Sequence, residues 1–202
     1  GLDYTLQLAG GSFGKLDTAE YGQINPNRMI PSIKDGDFAL WESLAIVRYL
    51  CDSYGAGTLS PTDPKLRATA DQWMEWSASR PFMPVIYLFF ATVRTAPAER
   101  DPVKIANLRD EAHEALTIVD RHLSDRAYLC GDSFTMGDIP LGCVVYRYFN
   151  VDIERPPLPN VEAWYDRLSR RKAYQNHVMR HFGTNPEEWA ALEKACVSEG
   201  VI

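Results

Sequence analysis

These 202 residues have no CxxC: Cys51, Cys130, Cys143 and Cys196 are widely spaced. Each reads as a small core or surface thiol in a reducing compartment rather than as half of a disulfide. There is no apolar run of about 20 residues and no signal-peptide pattern, so no membrane partner is expected and the default is a cytoplasmic protein. Positive charge is in deficit as well, and a net charge of −6 argues against a nucleic-acid partner. No internal repeat or low-complexity tract is visible, and no Ser-His-Asp or Cys-His constellation can be argued from spacing. Gly10-Gly11-Ser12-Phe13-Gly14 neither follows GxGxxG nor runs into GKS or GKT, so it reads as a flexible loop and not a phosphate cradle. His177 and His181 stand at i, i+4, a spacing that can bind metal on a helix, but no third ligand accompanies them. A surface pair and no metal are therefore expected. Arg167, Arg170, Arg171 and Lys172 read as a solvated basic face.

The chain does have the material for a core, with 46% hydrophobic and 24% charged residues. Its length suits one large domain or two small ones. Residues 1–54 alternate short strands and helices, with Thr18 to Ile24 predicted as one or two helical turns stopped by Asn25-Pro26. Residues 55–64 carry two glycines and two prolines and read as a linker. From Lys65 the pattern is helical through residue 202. Lys65 to Ser79 opens a long helix that Pro81 and Pro84 must interrupt or bend. Val103 to Leu123 repeats Leu108, Ala112, Ala115, Leu116, Val119 and Leu123 at the helical period. Thr135-Met136-Gly137-Asp138 forms a variant capping box, with Thr135 as N-cap and a tight first turn expected around Pro140. Leu158 to Leu168, Ala173 to Val178 and Pro186 to Val197 complete the predicted helices.

The segment richest in chemistry lies between residues 25 and 50. Asp35-Gly36 is a turn dipeptide between two β-prone runs, Ile30 to Ile33 and Phe38 to Trp41. Glu42-Ser43 then falls where the apolar helical pattern of Leu44, Val47 and Leu50 begins. Ser43 in the favoured N-cap role would gather free backbone N–H groups beside the Glu42 carboxylate. Such a pair can hold a zwitterion, its carboxylate on the N–H groups and its amine on Glu42. Spacing alone leaves Glu42-Ser43 open as a plain helix cap, and Pro31 open as cis or trans.

The run NPNRMIP, then DG, then ALWESLAIVRYL resembles the cis-proline and glutamate-serine segment of cytosolic glutathione transferases, of the bacterial, theta-like kind. Tyr128 to Ile139 is similar to the capping motif that family carries at its sixth helix. The resemblance implies a cis Pro31, a backbone pairing between Ile30 and the cysteinyl part of glutathione, and capture of the γ-glutamyl end by Glu42 and Ser43. Where the family often has glycine, this chain has Arg28, which either bears strain at a positive φ and stays solvated or reaches the glycyl carboxylate. Arg80, Met83, Tyr87, Arg147 and Tyr148 occupy helices that shape the family's electrophile pocket. Against that stands ordinary core packing of aromatics at helical spacing.

The fold expected is α+β: a thioredoxin-like domain over 1–54, a linker over 55–64, and an all-helical domain of five or six helices over 65–202. The family's first strand and thiol-activating residue find no counterpart, since Gly1 to Leu6 resembles the segment after helix 1. Residues upstream of Gly1 are therefore expected in the natural protein, and Tyr4 to Leu8 is expected as a strand without its usual neighbour. The resemblance implies a glutathione S-transferase with glutathione as co-substrate, a small electrophile and a homodimer, acting in detoxification. The alternatives are a non-catalytic scaffold or binding module of the same fold, or a glutathione-dependent isomerase, dehalogenase or peroxidase.

Overall fold

The computed structural model describes residues 2–198, with side chains through residue 195. The chain divides into two compact units, one ending at Ser60 and the other starting at Pro61.

The first unit opens with an irregular stretch and a single 3-10 turn, Gly11–Phe13, before helix α1, Ala19–Ile24. Thr18 caps α1 by accepting from the Tyr21 N–H at 3.1 Å. A hairpin follows, β1 at Ser32–Asp35 and β2 at Phe38–Trp41, paired antiparallel with Ser32 opposite Trp41 and Asp35 opposite Phe38. The two-residue turn is Gly36-Asp37, with Gly36 at φ 59, so it sits one residue beyond the dipeptide read from sequence. β1 begins at Ser32 rather than Ile30, since Pro31 has no N–H for the ladder. The expected strand over Tyr4 to Leu8 is not formed, and β1 and β2 are the strands of the sheet among the described residues. Helix α2, Ser43–Tyr54, packs on the hairpin. The Asp35 carboxylate joins the two, accepting from Tyr49 at 2.8 Å and from Tyr54 in a short hydrogen bond. Those bonds, Tyr54 first, hold Asp35 below the usual carboxylate range and push the Tyr54 hydroxyl up to about 12.

The second unit is helical: α3 Pro64–Ser79, α4 Phe82–Thr92, α5 Pro102–His122, α6 Asp138–Asn150, α7 Pro159–Ser169, α8 Lys172–His177 and α9 Pro186–Ser198. That is seven helices among the described residues rather than five or six. Pro81 splits the first long segment into α3 and α4, and Pro84 is tolerated in the first turn of α4. Leu88, Phe89, Leu116, Val119, Leu141, Val145, Tyr148, Trp164 and Leu168 form its core. α4 packs on α5, and α3 on α6. The second contact is close, because a Cβ on Gly137 would come within 3.0 Å of the Ala70 carbonyl oxygen.

Asp138 sits at 0% exposure where three segments meet. It accepts from Leu129 N at 3.0 Å, Thr135 N at 2.9 Å and Trp164 Nε1 at 3.0 Å. This is the returning half of the expected capping box, although the regular helix starts at Asp138 itself. The tight first turn is present, with Asp138 N on Thr135 O and Ile139 N on Met136 O. Burial raises the Asp138 carboxyl, and the three N–H donors pull it partly back. Asp120 on α5 does similar work for α7, accepting from Asn160 N and Val161 N at 2.8 and 3.0 Å.

The basic run is not simply solvated. Arg167 donates to Ala127 O at 3.0 Å, and the Arg171 guanidinium stacks 3.7 Å from the Phe134 ring centre. Arg170 pairs with Asp166. Cys51 is a buried free thiol, and Cys130 and Cys143 are half-buried free thiols. The Cys196 side chain lies outside the described residues.

Asp138→Ala leaves three buried donors unmet and is expected to lower unfolding free energy by about 3 kcal/mol or more, with Trp164→Phe nearer ~1 kcal/mol. Urea denaturation checks this; a loss below ~1 kcal/mol for Asp138→Ala contradicts the assignment. For Asp35, a lowered folded pKa means stability present above the ordinary aspartate value of 3.8 and lost as pH falls through the folded value. The gap in thermal midpoint between wild type and Asp35→Asn should therefore be flat near neutrality and close below pH 3.8. A gap that persists unchanged into acid would refute it.

Candidate active site

The chain leaves α1 through Asn25, whose side chain is turned inward and only 2% exposed. Its amide oxygen accepts from Asn27 N at 2.9 Å, and its Nδ2 donates to Met29 O at 2.8 Å and to Ser32 Oγ at 3.3 Å. From α1, Tyr21 donates its hydroxyl proton to the same Met29 carbonyl at 2.7 Å and lies 3.1 Å from Ser32 Oγ. Between those anchors the chain is open to solvent, with Met29 65% and Ile30 57% exposed. The Ile30–Pro31 peptide is cis.

Arg28 has φ 54, a left-handed value that favours glycine. Its guanidinium donates to Leu16 O and Thr18 O, each at 2.9 Å. Arg28 is exposed at a positive φ, as the first of the two readings had it, and its guanidinium is in addition tied to its own unit. Gly22 makes room for it, since a Cβ there would come within 3.0 Å of the Arg28 guanidinium.

Ser32 faces Trp41 in the hairpin, so the next residues out, Pro31 and Glu42, leave the ladder at the same end. This register brings Ile30-Pro31 and Glu42-Ser43 to one exposed edge. Glu42, not Ser43, is the N-cap of α2, and its side chain makes no capping bond. Its backbone is held at φ 73 and ψ 115, a sparsely populated region for any residue with a Cβ. The first intrahelical bond runs from Ile46 N to Glu42 O at 2.9 Å. The N–H groups of Ser43, Leu44 and Ala45 therefore precede any helical acceptor and form the positive end of a 12-residue helix. An α-amino acid head group fits this edge in chemical terms, with N–H donors for its carboxylate and Glu42 for its ammonium.

The residues expected in an electrophile pocket fall into two environments within the second unit. Arg80 closes α3 and is exposed, and Met83 and Tyr87 lie one turn apart on an exposed face of α4, 43% and 46% exposed. Arg147 is half-buried, its guanidinium 5.6 Å from the Phe89 ring centre. Tyr148 is different and corrects the expectation. It is wholly buried, its hydroxyl 3.5 Å from His113 Nδ1 and its ring beneath the Arg155 guanidinium, so it serves the core and cannot line an open pocket. His177 ends α8 while His181 lies beyond it, so the helical spacing between them is not realised. No group of three metal-binding side chains occurs among the described residues. Tyr21 and Ser32 were not singled out from sequence, and Asn25 read as a helix stop and as the start of the NPNRMIP run, without a binding role.

The chain is similar to known proteins over most of its length. The family model described as "Glutathione S-transferase, N-terminal domain" matches residues 1–53, and "Glutathione S-transferase, C-terminal domain" matches residues 102–167. Glutathione S-transferase GstB of Escherichia coli is 36% identical over 180 residues, covering 88% of this chain and 86% of that protein. Glutathione S-transferase F14 of Arabidopsis thaliana is 30% identical over 196 residues, covering 89% and 77%. Among solved structures, the theta class glutathione S-transferase from Xanthomonas axonopodis pv. citri with glutathione bound superposes with a TM-score of 0.80 at 46% identity, covering 86% of this chain and 84% of that one. With relatives this similar across most of their length, the chain belongs to the glutathione S-transferase family, in its bacterial theta-like branch.

Proposed function

We propose that the exposed edge formed by Ile30, Pro31, Glu42 and Ser43 holds glutathione for transfer to a small electrophile. The chain is a glutathione S-transferase with glutathione as its co-substrate, as the relatives and family models support. The observation that carries the assignment of residues is Glu42. A non-glycine residue held at φ 73, solvent-exposed and capping nothing, has a backbone strain of about 1–3 kcal/mol that packing does not explain. Recognition of a ligand does explain it. The γ-glutamyl carboxylate rests on the N–H groups at the start of α2, its ammonium meets the Glu42 carboxylate, and the Ile30 backbone pairs with the cysteinyl portion.

Held this way, glutathione presents its sulfur at a fixed point, and the thiolate is the reacting form. The sulfur forms a new bond to the electrophilic carbon as the displaced electron pair leaves with the departing group or moves into the acceptor's π system. Fixing both partners converts a bimolecular collision into an oriented step. Arg80, Met83, Tyr87 and Arg147 are proposed for the electrophile side. No thiol-activating side chain is assigned. Boundaries of 1–54 and 65–202 for the two domains, a homodimer, a cytoplasmic location and a role in detoxification complete the proposal on family grounds. Among the described residues no helix is long and apolar enough to cross a membrane.

Calorimetric titration with glutathione is expected to show at least a roughly tenfold rise in Kd for the double variant Glu42→Ala, Ser43→Ala, the loss of two ligand bonds. Unchanged affinity removes these residues from the site. Glu42→Gly separates binding from strain. Glycine relieves ~1–3 kcal/mol at this φ and costs about 0.5–1 kcal/mol in chain entropy, so the thermal midpoint should hold or rise while affinity falls. A lower midpoint with affinity retained would mean that Glu42 is structural.

A further inference from the structure

We infer that Tyr21 and Asn25 are positioning residues for glutathione, acting through the Met29–Ile30 peptide. The inference rests on the proposed pairing of the Ile30 backbone with the cysteinyl part of the tripeptide, and it names what aims that backbone. Two side-chain donors converge on one carbonyl oxygen: Tyr21 Oη at 2.7 Å and Asn25 Nδ2 at 2.8 Å from Met29 O. A carbonyl oxygen has two lone pairs, so this one is saturated. The Met29–Ile30 peptide is planar and trans, since the cis bond lies one residue later. In such a unit the C=O and the N–H point in opposite directions. Drawing Met29 O toward α1 therefore turns the Ile30 N–H away from α1.

The same two side chains also reach Ser32 Oγ, at 3.1 and 3.3 Å, on the far side of Pro31. Ile30-Pro31 is thus bracketed by anchors at 29 and 32. Core stability does not account for this arrangement. A buried asparagine with both ends of its amide engaged serves a loop whose Met29 and Ile30 are 65% and 57% exposed. What the contacts hold is the direction of one peptide plane. Neither side chain needs to touch the ligand.

The test uses the whole chain and S-methylglutathione as the probe. Tyr21→Phe removes one hydroxyl. Asn25→Asp removes the donor to Met29 while keeping an oxygen for Asn27 N–H. Titrations are run at a temperature where circular dichroism shows each variant folded. Each change should raise Kd about fivefold, the worth of one hydrogen bond's orientation. Residue-resolved hydrogen exchange supplies a readout that general loosening would not give. The probe should protect the Ile30 amide in wild type and fail to do so in the variants, while protection at Ser43, Leu44 and Ala45 is kept. Unchanged Kd in Tyr21→Phe overturns the inference, and so does loss of protection at Ile30 and at Ser43 to Ala45 alike. A wild type that binds no S-methylglutathione overturns the proposed site itself, and with it this inference.

Discussion

The helical unit depends on one buried carboxylate. Asp138 is at the start of α6 with no solvent around it, and its oxygens collect N–H groups from Leu129, Thr135 and the Trp164 indole. Those donors belong to a loop, the same loop's far end and a later helix, so one side chain sets the relative positions of all three. A buried charge is tolerated only with such a full set of partners. From outside, Arg167 on Ala127 O and Arg171 on Phe134 close the loop down. With that end of α6 fixed, Gly137 meets the Ala70 backbone, and α6 lies against α3 and α4. The large apolar core then has a defined shape to fill.

The first unit is built on the opposite principle. Its fully buried apolar residues are few, Ile46 and Cys51 among those described. It relies on polar clamps at defined points: Asp35 on Tyr49 and Tyr54, Ser60 on Asp52 at 2.6 Å, Arg28 on two carbonyls, and Tyr21 with Asn25 on Met29. Hydrogen bonds are directional where apolar contact is not. Clamps fix backbone directions in a unit with little apolar core. The positive-φ non-glycine residues Lys15, Arg28 and Glu42 all fall in this unit.

Much of this was legible in the sequence where the signal is local. Asn25-Pro26 stops a helix, Asp35-Gly36 with its neighbours makes a hairpin, and Thr135 to Asp138 makes a capping turn, each through chemistry within four residues. The helix count came out low because a proline can either bend or break a helix, and sequence left both open at Pro81. Signals that depend on distant partners were not legible. Tyr148 carries the pattern of any helix aromatic, and only α5 and Arg155 packing around it put it in the core. Arg167 and Arg171 look solvated until the loop 40 residues upstream arrives beneath them. Tyr4 to Leu8 has strand composition, but a strand exists only through its ladder. Ser43 outranks Glu42 as a capping residue, yet Glu42 takes the N-cap position without capping. That reversal runs against the local sequence preference for an N-cap.

Arg28, at a backbone position that favours glycine, shows how such an edge accommodates a side chain. The proposed ligand contact in this loop is made by the Ile30 backbone, so the side chain at position 28 matters through the conformation it permits. Glycine reaches a positive φ without penalty. Arginine reaches φ 54 with a steric penalty that its own guanidinium offsets, by donating to Leu16 O and Thr18 O across the turn. The bonds that offset the strain also fasten the loop to the segment leading into α1, the helix from which Tyr21 reaches Met29. Strain and its compensation are therefore local to one loop, and neither draws on the Glu42 edge. An arginine at position 28 is compatible with a left-handed backbone there. A change at Asn25 has no such latitude, because its amide is already committed at both ends.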